Sequence, residues 1–140
     1  MSLPTHLTLV LVTPDHAVAQ AEVDEVQLPG EQGYFGVLPG HAPMLASLSV
    51  GPMWYRRGQE RTDLAVAFGI AEILPDRVIV MARVAERAEE IDVARAEAAM
   101  KRAEDNLAHL KSERDVEIAR LSMLKQMVRL RVATRGRTRG

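Results

Sequence analysis

The side chains best placed to do chemistry in this sequence are cations near its end. Arg120, Lys125, Arg129 and Arg131 lie in its last helical stretch, and Arg135, Arg137 and Arg139 follow. Such a series suits the recognition of anions, whether phosphates, a membrane surface or the carboxylates of another protein. Residues 120–140 carry 7 basic and no acidic side chains, a net +7, whereas 1–84 and 85–119 each come to −4. The segment has no aromatic residue, so it lacks the stacking platform that binds single nucleic-acid strands. It shares its helix with an apolar stripe. A basic amphipathic helix binds a membrane surface, and a protein partner fits it at least as well.

Other chemistry is poorly supplied. Gly30, Gly33, Gly36 and Gly40 cluster, but no Lys-Ser/Thr follows them, so they read as turn glycines and not as a phosphate cradle. His6, His16, His41 and His109 are scattered and there is no Cys, which makes a metal centre a poor fit. No Ser stands in Gly-x-Ser-x-Gly. Glu89-Glu90 lies in a polar helical stretch, where a solvated face is the default. Nothing here argues for an autonomous enzyme. The composition, 47% apolar and 26% charged over 140 residues, fits one ordinary domain or a small domain with an appendage. No apolar run approaches the roughly 18 residues of a membrane span. No secretory leader is visible at the start.

Fourteen of the sixteen Gly and Pro residues fall in 1–75, none occurs in 76–135, and all five aromatics precede Gly69. The first part therefore reads as short strands with turns and the second as helix. His6 to Val12 and Val18 to Leu28 alternate like half-buried strands. Met53–Arg57 and Arg61–Phe68 flank a hairpin loop at Gly58-Gln59-Glu60, and Ala65–Leu74 and Val78–Val84 flank Pro75-Asp76. The spacing suggests an antiparallel sandwich or barrel. Asp92 can cap a helix running toward Leu110 with Val93, Ala96, Met100, Ala103 and Leu107 on one face. Ser112-Glu113-Arg114-Asp115 resembles a capping box opening a second helix. Its stripe is Val116, Ala119, Met123, Met127 and Leu130, widened by Leu121, Leu124 and Val128. The expectation is an α+β chain: a β-sandwich over 1–85, an antiparallel helical hairpin over 86–133, and a disordered basic tail over 134–140. The link 85–90 and the turn at 109–112 carry no rigid packing signal, so a hairpin that swings or extends is physically easy.

Three stretches resemble the epsilon subunits of bacterial F-type ATP synthase: Gly36-Val37-Leu38-Pro39-Gly40-His41-Ala42-Pro43-Met44-Leu45, Phe68 to Val78, and Ala85 to Ala96. The resemblance covers residues 5 to about 133 in order. It implies a non-catalytic rotor part whose sandwich docks on the gamma subunit and the ring of c subunits. It implies helices that permit turnover when folded down and block ATP hydrolysis when extended into the catalytic head. The extended helix would meet acidic loops of the catalytic β subunits through Arg120, Lys125, Arg129 and Arg131, with the alpha subunits alongside. A solvated helix face is the alternative for those four.

The resemblance also implies ATP as a regulatory ligand, with no cofactor required, since some members bind ATP in the folded hairpin. Their motif appears as Ile91-Asp92-Val93-Ala94-Arg95-Ala96, and Glu86, Arg102 and Arg129 match further positions. Lys125 stands where the best binders have Arg, and it lacks that planar fork. Asp92 as a plain cap and Arg95 as a surface charge remain the alternative. Many members carry an acidic residue just before the Gly-x-x-Pro-Gly-His run; here Tyr34-Phe35 precede Gly36. Those aromatics either make an apolar contact to the ring or tuck into the sandwich. His41 lies at the gamma or ring interface, or stabilises its own turn. No transit peptide is visible, so the expected place is the cytoplasmic face of a bacterial plasma membrane, peripherally bound, with no nucleic-acid partner.

Overall fold

The computed structural model describes residues 3–139, the side chains of 137–139 excepted. β1 (Leu7–Val12) alternates as its sequence requires: Leu7, Leu9 and Leu11 are buried and Thr8, Val10 and Val12 face out. The stretch expected as one strand divides at Asp24 into β2 (Ala17–Val23) and β3 (Glu25–Gly30). Val23 and Val26 are both buried, and an odd spacing cannot place both on one face of an unbroken strand. The chain therefore turns at Asp24, whose N–H donates to the Arg56 carbonyl at 2.8 Å.

A two-residue turn at 31–32 leads into β4 (Gly33–Val37), a strand where the clustered glycines predict turns. β5 (Met44–Arg57), β6 (Glu60–Leu74) and β7 (Arg77–Arg87) are longer than their expected pieces. The sheet order is β2-β1-β7-β6-β5-β3-β4. Pairing is antiparallel except between β1 and β7, which run parallel, so the antiparallel expectation misses one ladder. A parallel pair needs a long crossover, and here most of the sandwich lies between the two strands. The sheet folds over so that its inner faces enclose one core, including Leu28, Leu48, Met53, Leu64, Ile73 and Val80.

The inward face of β6 changes parity partway along. Leu64 and Val66 point inward before the change, Ala71 and Ile73 after it. The switch occurs at Phe68 and Gly69, whose φ angles are 58° and 148°. A Cβ at Gly69 would collide with the Met81 carbonyl, so glycine is required there. The register with β5 and β7 is unchanged across the kink, so the three strands bend together.

A 3₁₀ turn (Ala88–Glu90) joins the sheet to α1 (Val93–Leu107). The expected free linker is in fact packed: Ala85, Ala88 and Ile91 are buried. Asp92 caps α1 by accepting from the Arg95 N–H at 3.0 Å. Ser112 opens α2 (Glu113–Arg139), its carbonyl accepting from Val116 N–H at 3.0 Å and its hydroxyl 3.4 Å from Asp115 N. The helices form the expected hairpin, but α2 continues through 134–139, where a disordered tail was expected; Gly140 lies outside the described residues.

The α2 stripe also differs. Its first half turns Ala119 toward α1, whereas its second half buries Val128, Val132 and Ala133 with Ala65, Ala88 and Ile91. Met127 and Leu124, expected in the stripe, are 50% and 43% exposed. One helix serving two neighbours must rotate its buried face along its length. This second apolar cluster explains why Ala65, Val66 and Ala67 are all buried in sequence: one face meets the sandwich core and the other meets α2.

Candidate functional site

The site lies where α2 crosses the outer face of β5, β6 and β7. Val50, Ala65, Ala67, Val84 and Glu86 supply the sheet side, and Lys125, Gln126, Val128 and Arg129 the helix side, of a cavity of about 170 Å³. Small side chains on β6 let the helix approach, and β7 brings Glu86 to the rim. Arg129 Nε lies 2.8 Å from Glu86 Oε1, and Nη2 donates to Oε2 at 3.2 Å. Nη1 donates to Gln126 Oε1 at 2.7 Å, one turn back. The Nε–H is buried and not aimed at an acceptor, so the guanidinium is held but not saturated. The two side chains are 20% and 27% exposed, and truncating one would leave the other charge over an apolar cavity, at a cost of about 1–3 kcal/mol. One turn earlier, the Lys125 ammonium stands 5.7 Å from the centre of the Phe68 ring.

Glu86, Lys125 and Arg129 are thus brought together as the family motif implies. The rest of the proposed nucleotide set is spread out. Ile91 is buried among Val128, Val132 and Ala133, and its N–H already donates to the Ala88 carbonyl at 3.3 Å. The Asp92 carboxylate is spent on its cap. Arg95 is exposed, and Ala96 is buried within the hairpin. Arg102 lines a different hollow, with Asp115 and Ser122, about 10 Å further along α1 from Arg95.

The four cations expected to meet an acidic partner divide into two pairs. Lys125 and Arg129 face the sheet, whereas Arg120 and Arg131 face outward. Arg120 sits 3.4 Å from Glu117 in an exposed pair, an arrangement worth little in water.

Tyr34, Phe35 and His41 do not form one surface. Phe35 packs against the sandwich core. Tyr34 lays its hydroxyl over Gly51 on the side of α2. Desolvation there pushes the phenol above its usual pKa, and the charge of Arg131 pulls the other way; the ring itself is 55% exposed. His41 Nδ1 is 2.6 Å from the Ala42 carbonyl, within its own turn, and Gly40 N–H ties that turn to the Pro75 carbonyl at 2.7 Å.

Three features escaped the sequence reading. Phe68 ends an expected strand, and nothing in its type announces the positive φ it adopts. Gly136 looked like tail, yet α2 passes Ala88 so closely that a Cβ at Gly136 would collide with the Ala88 methyl. Beyond the edge of α2, the outer face exposes Leu45, Ile70 and Met81. The parity change at Phe68, which put Ala67 and Ile70 on the same face, hid that patch from any simple alternation.

Fold and site together define a class: a small sheet domain that holds a helical pair through a few polar contacts and offers an apolar face beside it. Comparison with known proteins makes the class specific. Residues 6–88 match the family described as ATP synthase, Delta/Epsilon chain, beta-sandwich domain. Residues 89–134 match ATP synthase, Delta/Epsilon chain, long alpha-helix domain. The chain belongs to this delta/epsilon family of ATP synthase, as a non-catalytic stalk chain.

The ATP synthase epsilon chain 2 of Syntrophotalea carbinolica is 44% identical over 131 residues, covering 93% of this chain and 95% of that one. The epsilon chain of Syntrophobacter fumaroxidans is 45% identical over 127 residues, covering 91% and 95%. That of Koribacter versatilis is 52% identical over 97 residues, covering 69% and 68%. A chain of the Euglena gracilis mitochondrial ATP synthase, solved with OSCP, F1 and c-ring, superposes with a TM-score of 0.81 at 20% identity, over 91% of this chain and 81% of its own. That likeness speaks to the fold. The complex is membrane-associated, and among the described residues no helix is long and apolar enough to cross a membrane.

Proposed function

We propose that the sandwich couples the gamma subunit to the c ring in the central stalk and that α1 and α2 act as a brake on ATP hydrolysis. The observation that carries this reading is the way α2 is held. One half-buried ion pair, one cation–ring contact and small-residue packing fix it to the sheet. Those contacts can be exchanged for equivalent ones elsewhere, which is what a two-state element needs. Arg120 and Arg131, with Leu124 and Met127, face outward from the docked helix. They are available to the alpha and beta subunits, whereas Lys125 and Arg129 become available only on release.

The exposed face with Leu45, Ile70 and Met81 suits gamma. The turn bearing Leu38 and His41 suits the ring, with Tyr34 turned away toward α2. The chain would then sit peripherally on the cytoplasmic side of a bacterial inner membrane, without a required cofactor and without a nucleic-acid partner.

The test is ATP hydrolysis by an epsilon-depleted catalytic head containing gamma. Full-length chain is expected to bind and inhibit. The double variant Arg120→Glu, Arg131→Glu is expected to bind equally and inhibit several-fold less. Equal inhibition by both removes the electrostatic contact, and binding without inhibition removes the brake.

ATP as a regulatory ligand is a second reading, favoured by Glu86, Lys125 and Arg129 converging at one cavity between the sheet and α2. The cavity of about 170 Å³ is smaller than the roughly 300–1,000 Å³ of ordinary ligand pockets. Binding would require Arg129 to exchange Glu86 for phosphate and Arg102 to close in along the hairpin. MgATP is then expected to slow hydrogen exchange in both helices; unchanged exchange at millimolar ATP argues against it.

A further inference from the structure

We infer that Phe68 is a positioning residue for α2: a strained aromatic that the sheet holds outward so that its ring can seat Lys125. The inference goes beyond the brake reading and concerns the chain by itself. Three observations lead to it.

The first is conformational. Phe68 has φ of 58°, and among the described residues it is the only non-glycine with positive φ. A bulky side chain in that region is a true outlier, and such strain persists where the surroundings impose it and a function uses it. Glycine at 68 would make the same kink without strain, as Gly69 does beside it. The kink therefore does not explain the side chain.

The second is packing. Phe68 is absent from both clusters of core residues. It is half-buried and stands on the outer side of the bend that β5, β6 and β7 share. The sandwich does not need the ring to fill its interior.

The third is what the ring meets. Lys125 lies over it at 5.7 Å, at the edge of the cavity under α2. Arg129, one turn on, is held by Glu86. The sheet thus grips two successive cations of α2 in different ways, one by a carboxylate and one by a neutral π face. A second carboxylate at 68 would compete for Arg129; a ring does not. The two grips fix both the height and the rotation of the helix on the sheet.

The experiment is hydrogen exchange of the full chain, read separately for α2 and for β5–β7, together with thermal unfolding. In Phe68→Gly, α2 amides between 122 and 136 are expected to exchange about three- to tenfold faster, the loss of one partly exposed cation–ring contact and its apolar neighbours. Exchange in β5–β7 and the Tm of the sandwich should hold or improve, because the strain is gone. Phe68→Ala keeps the strain and loses the ring, so it should free α2 equally and leave the sandwich Tm near the parent's and below that of Phe68→Gly. Phe68→Tyr keeps the ring and should retain α2 protection. The inference is overturned if Phe68→Gly leaves α2 exchange as in the parent chain. It is equally overturned if that variant lowers the sandwich Tm and speeds β5–β7 alongside α2, since the ring would then be serving the sandwich itself.

Discussion

Single residues in this chain do more than their types announce, and Asp24 is the clearest case. It stands at the corner between β2 and β3. One carboxylate oxygen accepts from the Gly58 N–H at 2.6 Å and the other lies 3.0 Å from His6 Nδ1, with Arg56 at 3.9 Å. The backbone hydrogen bond from Gly58, then the contact with His6, hold its pKa below the ordinary 3.8. A depressed carboxylate pKa means that the folded state prefers the ionised form. Its contribution is therefore present above the unfolded value of 3.8 and is lost as the pH falls from there through the lower folded value. Asp24→Asn should be less stable than the parent near neutral pH, and the gap should close on acidification below 3.8. Thermal unfolding from pH 7 to pH 3 checks this. A constant gap would mean that Asp24 acts through packing and not through charge.

At the scale of elements, the helix end contradicts simple propensity. Alanine is favoured over glycine in a helix interior by about 1 kcal/mol, so Gly136→Ala would stabilise an isolated α2. Here the added methyl collides with the Ala88 side chain. The expected net result is looser docking: faster exchange in 128–136 with more helical signal in a peptide of the same segment. Tighter docking would mean that Ala88 gives way easily. Glycine at 136 reads as part of a tail over 134–140, because only Ala88, remote in sequence, explains it. The same limit runs through the rest of the sequence reading. The division into strands and helices was legible in the distribution of Gly, Pro and aromatics, and the caps at Asp92 and Ser112 in their own residues. The face of α2 was not, because its second half answers to Ala65, Ala88 and Ile91, which are remote in sequence. The grouping of Glu86, Lys125 and Arg129 came from the family motif. The separation of Arg102 from them came only from how the two helices lie together.

For the whole molecule, one sheet face is shared between two uses. α2 covers the part formed by Val50, Ala65, Ala67 and Glu86, and the part beyond the kink leaves Leu45, Ile70 and Met81 in solvent, Leu45 at 72% exposure. Register places Ile70 directly beside Met81, so the two form one patch. A monomer gains nothing from such a patch, whereas burying it against a partner contributes about 25 cal/mol per Å². The patch is separate from every contact that holds α2, so docking and braking should be separable by mutation. Ile70→Asp with Met81→Asp is expected to lower the Tm by a few degrees at most, since both side chains are about half exposed and the two carboxylates then face each other across the strand pair. The same variant should lose binding to the gamma-containing head by more than tenfold, with exchange in α2 unchanged. Arg120→Glu with Arg131→Glu should do the reverse, keeping binding and losing inhibition. If the aspartate pair binds as tightly as the parent, the sandwich docks through another surface, and the turn at His41 is the next to alter.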